Sequence, residues 1–183
     1  MDEPDWTHVN EEGLWQFVGW HLANKGIQSV LVGGAVVSIY SRGAYRSGDI
    51  DLVEPLISKA TEIKSVMEGL GFYKRSRHYV HPKCNHLFIE FLSAPVSIGD
   101  DYKIIPDEKE IEGKILKIFS PTDCIKDRLS SYIHFNAREC LDQALLVARS
   151  QRFEMRMVKE WCFQEGPLGK EAFEMFEKLL RIT

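Results

Sequence analysis

The sequence predicts an α+β fold, with helices and strands mixed through residues 1–119 and helices alone through residues 120–183. Three observations carry this. A short apolar run stopped by two glycines, "SVLVGG", and an alternating run, "GDIDLVEP", sit between segments of helical periodicity. From Phe72 to Phe119 the pattern turns to short strands parted by charged or Gly/Pro-bearing turns. Beyond Ser120, where Ser-Pro can start a helix, the strand signals cease.

Each element has its own signal. In "NEEGLWQFVGWHLANKG", Asn10 can cap a helix whose Leu14, Phe17, Val18 and Leu22 fall on one face, and Gly26 can end it. "SVLVGG" reads as a buried strand, "AVVSIYSRG" as about two helical turns, and "GDIDLVEP" as a strand. Pro55 then opens a helix through "LISKATEIKSVMEGLG". "FYKR", "HYVH", "HLFIEFL", "YKII" and "KILKIF" are the five strands expected next. The tail reads as four helices with short connections, and Trp161, Phe163, Phe173 and Phe176 fall at core spacing on them.

At 183 residues the chain is long enough for one packed domain, or one domain with a helical appendage. Its start, "MDEPDWTH", is acidic where a signal peptide would be basic, and no apolar run approaches bilayer length. Cys84, Cys124, Cys140 and Cys162 show no paired short spacing, so reduced thiols and a cytoplasmic protein are expected. A net charge of -4 argues against a generally basic nucleic-acid binder. It leaves room for one local basic patch, "YKRSRHYVHPKCNH", where Lys74, Arg75, Arg77 and Lys83 could meet a phosphate-bearing acceptor. In the same stretch His78, His81, Cys84 and His86 are chemically suited to zinc, but their spacing matches no common zinc module and a hairpin would send them to both faces.

The chemistry gathers on three carboxylates. Residues two apart on a strand share a face, so Asp49 and Asp51 project together while Ile50 and Leu52 enter the opposite layer. Two adjacent anions repel unless a cation lies between them, and an oxygen-only pair suits Mg²⁺ or Mn²⁺. Glu90, in the apolar run "LFIEFL", supplies a third carboxylate. Gly33 and Gly34 end one strand and begin a helix, where backbone N–H groups can meet a phosphate with no side chain in the way. Such an arrangement suits a nucleoside triphosphate.

Gly33-Gly34, then Arg42 or Arg46, then Gly48-Asp49-Ile50-Asp51-Leu52, then Glu90 resembles the signature of the nucleotidyltransferase superfamily of the DNA polymerase beta type. The resemblance spans roughly residues 29–92 and implies a mixed sheet flanked by helices, with two metal ions held by Asp49, Asp51 and Glu90. It makes residues 1–119 a catalytic core and residues 120–183 a helical region packed on it. Many members carry Gly-Ser where this chain has Gly33-Gly34, and Ser38, one turn on, could compensate. The tail is similar to a Lys, Arg, Asp helical motif of toxin-type nucleotidyltransferases related to phage-abortive-infection proteins. That similarity implies that Lys126 touches the triphosphate and that Asp142 supports the site or contacts substrate.

The expected activity is transfer of a nucleoside monophosphate from a triphosphate to a hydroxyl, with RNA or tRNA, or a protein, as favoured acceptor and a role in a toxin–antitoxin or phage-defence system. An aminoglycoside-type small-molecule acceptor is the alternative. A second alternative, a non-catalytic antitoxin-like binding module, has all three carboxylates against it.

Overall fold

The structure is a computed structural model that describes residues 1–54 and 59–182. Helix α1 (Glu11–Asn24) is capped by the Asn10 side chain, which accepts from the Gly13 N–H at 2.8 Å. It buries Leu14, Trp15, Phe17, Val18 and Leu22. Strand β1 (Val30–Val32) leads directly into helix α2 (Gly33–Tyr40), and β2 (Asp49–Val53) follows. Helix α3 (Ala60–Gly69) comes next; the helix start expected at Pro55 lies outside the described residues.

Strands β3 (Tyr73–Arg75), β4 (His78–His81), β5 (Cys84–Leu92), β6 (Asp107–Ile111) and β7 (Lys114–Ile118) complete a seven-stranded sheet of order β3-β4-β5-β2-β1-β7-β6. The sheet is mixed: β1 runs parallel to β7 and β2 parallel to β5, while the other pairs are antiparallel. One strand expectation fails. "YKII" at 102–105 is not a strand, and the charged run Asp107–Ile111 is. The cause is the turn after it. Glu112 and Gly113 both have positive φ, 45° and 75°, which closes a two-residue hairpin and pairs Ile111 with Lys114. The edge position then lets β6 keep its charges in water.

Helices α4 (Pro121–Phe135), α5 (Arg138–Ser150), α6 (Met155–Gln164) and α7 (Gly166–Leu180) form the tail. Ser120 caps α4, its hydroxyl accepting from the Asp123 N–H at 3.1 Å and donating to the Asp123 carboxylate at 2.7 Å. One buried cluster joins Leu31, Val36, Ile50 and Ile89 to Ile125, Leu129, Leu145 and Phe176. Helix α2 packs against β1 and β2 as well as against α4 and α5. Of the four tail aromatics expected in the core, Trp161, Phe173 and Phe176 are buried. Phe163 is 40% exposed, edge-on to Phe173 with Lys159 and Lys170 against its ring. Among the described residues, no helix is long and apolar enough to cross a membrane.

Candidate active site

Strand pairing brings the acids together. Asp51 is the register partner of Glu90 across the parallel β2–β5 pair, and Glu90 is in turn the partner of His78 across β5–β4. Paired residues on neighbouring strands share a face, and Asp49 joins them from two residues away. Ile50, Leu52 and Ile89 alternate to the opposite face and are wholly buried there, which locks this register: a one-residue slip would bury the acids instead.

The Asp51 carboxyl titrates far above the usual range, pushed up to about 7, first by burial and then by the charges of Asp49 and Glu90. Arg128, from α4, pulls the other way. Asp49 accepts a hydrogen bond from the Ser47 hydroxyl at 2.6 Å. Glu90 faces two basic groups, Arg77 Nε and His78 Nε2, each at 3.2 Å. These contacts are how crowded carboxylates lower their mutual repulsion.

The two glycines meet this cluster from beneath. A Cβ on Gly33 would collide with the Asp51 carboxylate, and the residue sits at φ +73°, so both space and backbone call for glycine. A Cβ on Gly34 would lie 2.8 Å from the Ser47 hydroxyl and 3.4 Å from that of Tyr45. Helix α2 has no side-chain cap at its start, since Val32 occupies that position. The loop before β2 is anchored from outside the cluster. Glu11, 1% exposed, accepts from the Ser47 N–H at 2.7 Å and from Arg46 Nε at 3.1 Å.

The other candidate residues have surroundings of their own. Ser38 and Arg46 line a groove with Asn10, Glu11 and Arg42 that none of the three acids lines. Lys126, expected at the triphosphate, is buried with its ammonium 3.1 Å from Asp123 and 3.7 Å from Asp101. The cation of α4 that acts on Asp51 is Arg128, two positions on, because α4 buries Ile125 and Leu129 and so turns 126 and 128 to different sides. Asp142 is exposed on α5, and its side chain makes no ion pair or hydrogen bond among the described residues. The His/Cys stretch is dispersed: His81 stacks on Trp6 at 3.7 Å, His86 bonds the Val9 carbonyl, and His78 serves Glu90. Arg128, Tyr45 and Ser47 escaped the sequence reading; only Ser47, two residues before Asp49 on an extended chain, carried a usable signal.

Among the described residues, no three His, Cys, Asp or Glu side chains are drawn into a ready-made ligand set. The donor chemistry nonetheless fits a hard divalent cation. Asp49, Asp51 and Glu90 offer oxygens only, from one face.

No family model matches the chain, and no curated protein does. Solved structures do. The chain is similar to an antigenic nucleotidyltransferase-like protein from Paracoccidioides brasiliensis, with a TM-score of 0.64 and 16% identity over 94% of this chain and 89% of that one. It is also similar to ANT(2'')-Ia in complex with adenylyl-2''-tobramycin, with a TM-score of 0.50 and 14% identity over 92% and 95% of the two chains. A solution structure of the antibiotic-resistance factor ANT(2'')-Ia matches at a TM-score of 0.50 and 13% identity, over 94% and 93%. The fold is therefore nucleotidyltransferase-like, the class that the diglycine and Asp-Ile-Asp pattern implies.

Proposed function

We propose that the protein is a metal-dependent nucleotidyltransferase that moves a nucleoside monophosphate from a nucleoside triphosphate to an acceptor hydroxyl. The observation that carries this reading is the register of Asp51 with Glu90, with Asp49 on the same face, above the uncapped start of α2. The acceptor oxygen attacks the α-phosphorus and pyrophosphate leaves. Asp49, Asp51 and Glu90 would hold Mg²⁺ or Mn²⁺, which would supply positive charge to the triphosphate and make the acceptor hydroxyl more acidic. Gly33 and Gly34 leave room for phosphate at the N–H groups of α2. Ser47 orients Asp49, and Glu90 takes the proton of the acceptor hydroxyl.

The catalytic core is residues 1–119, with the helices of 120–183 packed on it, in a cytoplasmic protein whose four cysteines are free and buried. RNA or protein is the favoured acceptor, in a toxin–antitoxin or phage-defence setting. Arg75, on the Glu90 face of β3, and Arg77 of the following turn, both exposed, support a polyanionic acceptor. A small hydroxylated acceptor is the second reading, favoured by the match to ANT(2'')-Ia along nearly the whole of both chains.

The test is incubation with α-³²P-labelled triphosphates, Mg²⁺ and cell extract. Label in RNA or protein supports the first reading and label in a small-molecule fraction the second. No label above that of Asp51→Asn refutes the enzyme.

A further inference from the structure

The row of register partners that carries Asp51 and Glu90 does not stop at them. It runs Asp51, Glu90, His78, Arg75 across β2, β5, β4 and β3, so one face of the sheet passes from the acids to a cation at its edge. Phe88 lies on that face too. It is the register partner of Asp49 and sits two residues before Glu90 on β5, which places an aromatic ring beside two carboxylates. Phe88 is half-buried and belongs neither to the buried core nor to the partly buried residues packed on it. Its ring meets that of His78, with centroids 4.3 Å apart and planes tilted by 43°. A phenylalanine whose same-face neighbours are acids adds little to folding, and its apolar face is available to a flat ligand.

The two sides of the acids differ. On the β1 side is the turn into α2, where Gly33 abuts the Asp51 carboxylate and leaves room for phosphate. On the β5 side are Phe88 and His78, then Arg75 and Arg77, both exposed; the Arg75 side chain is in no ion pair among the described residues. From Phe72 to Leu92 the chain has one acid, Glu90, against Lys74, Arg75, Arg77 and Lys83. In-line displacement at phosphorus puts the attacking oxygen and the leaving pyrophosphate on opposite sides. A triphosphate seated at α2 therefore leaves the β5 side to the acceptor. Aromatic rings beside arginines are the chemistry that holds a single-stranded nucleic acid, the ring stacking a base and the guanidinium meeting a phosphate.

We infer that Phe88, backed by His78, stacks the terminal base of a single-stranded RNA acceptor, and that Arg75 and Arg77 hold the phosphates behind it. The inference rests on the nucleotidyl-transfer reading and names which of its acceptors the site takes. A cationic sugar has no flat ring to stack and would meet arginines on this face.

The experiment is fluorescence anisotropy of an end-labelled short oligoadenylate, and of the same strand with an abasic 3' nucleotide, on the full chain and its Phe88→Ala, Phe88→Tyr and Arg75→Gln variants. Calorimetry follows an α,β-methylene nucleoside triphosphate in Mg²⁺ on the same proteins. Phe88→Ala should bind the intact strand about 10- to 100-fold more weakly, the loss of one stack between base and ring. Phe88→Tyr, which keeps the ring, should stay within about 3-fold, and the abasic strand should bind the unaltered chain and Phe88→Ala alike. Arg75→Gln should reduce the steepness of log affinity against log salt by about 0.7, and an unchanged slope removes Arg75 from the assignment. Should Phe88→Ala fail to fold, Phe88→Leu, which keeps apolar volume without the ring, decides by the same ratio. Equal losses for intact and abasic strands, or unchanged affinity for the intact one, overturn the stacking role. A loss for the triphosphate alone gives the ring to the incoming nucleotide and overturns the acceptor assignment. Triphosphate binding without oligoadenylate binding in the unaltered chain overturns the inference and leaves transfer to another acceptor standing. Oligoadenylate binding without triphosphate binding does the reverse, and binding of neither overturns both.

Discussion

Gly33 leaves the space that the Asp51 carboxylate fills: a Cβ at residue 33 would overlap it, and the backbone there holds φ at +73°. One position thus couples the turn from β1 into α2 to the placement of a candidate metal ligand. Gly33→Ala should destabilise by about 2 kcal/mol through the left-handed backbone and displace Asp51, reducing transfer more than it reduces the melting temperature. Urea denaturation beside labelled-triphosphate turnover checks both. Full turnover in a folded Gly33→Ala protein would contradict the coupling.

Asp51 makes a pH prediction. Its carboxyl is raised from 3.8 to about 7 in the fold. Between about pH 4 and pH 7 the folded state holds more proton than the unfolded one, so stability falls as pH rises through that window and the cost is complete above pH 7. In EDTA, Asp51→Asn should therefore gain about 2 kcal/mol over the unaltered protein at pH 8, after allowance for solvent screening, and nothing near pH 4. The same variant should lose transfer. Melting curves at the two pH values measure the difference, and a variant less stable than its parent at pH 8 would count against the crowding of acids.

Lys126 separates structure from catalysis. It is buried between Asp123 and Asp101, so Lys126→Met strips a cation from a buried acid and should cost about 3 kcal/mol. Nucleotide affinity of the folded fraction should not change. A selective rise in KM for the triphosphate, with stability intact, would return Lys126 to the active site.

Glu11 acts at a distance from the acids, through the Ser47 N–H and Arg46. Glu11→Ala leaves the buried Ser47 N–H without its acceptor, at about 2 kcal/mol, and loosens the hydroxyl that orients Asp49. Lower stability together with weaker Mg²⁺ affinity, read by calorimetry, is the expected pair of results; a stability loss alone would show that the anchor stops at Ser47.

Much of this was legible in the chain. The period-two spacing of Asp49 and Asp51 and the glycines that stop β1 are local, and local backbone geometry fixes which way such side chains go. The cap at Asn10 and the Ser-Pro start of α4 are local in the same sense. Where alternation of apolar residues competed with turn chemistry, the turn won: Glu112-Gly113 set β6, and "YKII" stayed outside the sheet.

By itself the sequence determined the elements and the residue types of the site: strand, diglycine, helix, then two acids on one face and a third in another strand. Tertiary structure decided that Glu90 lies opposite Asp51 and that Lys126 is buried against Asp101 as well as Asp123. The reason is range. Spacing along one element dictates direction within it, whereas strand register and the side of a helix turned to its neighbour follow from which apolar faces, distant in sequence, bury one another.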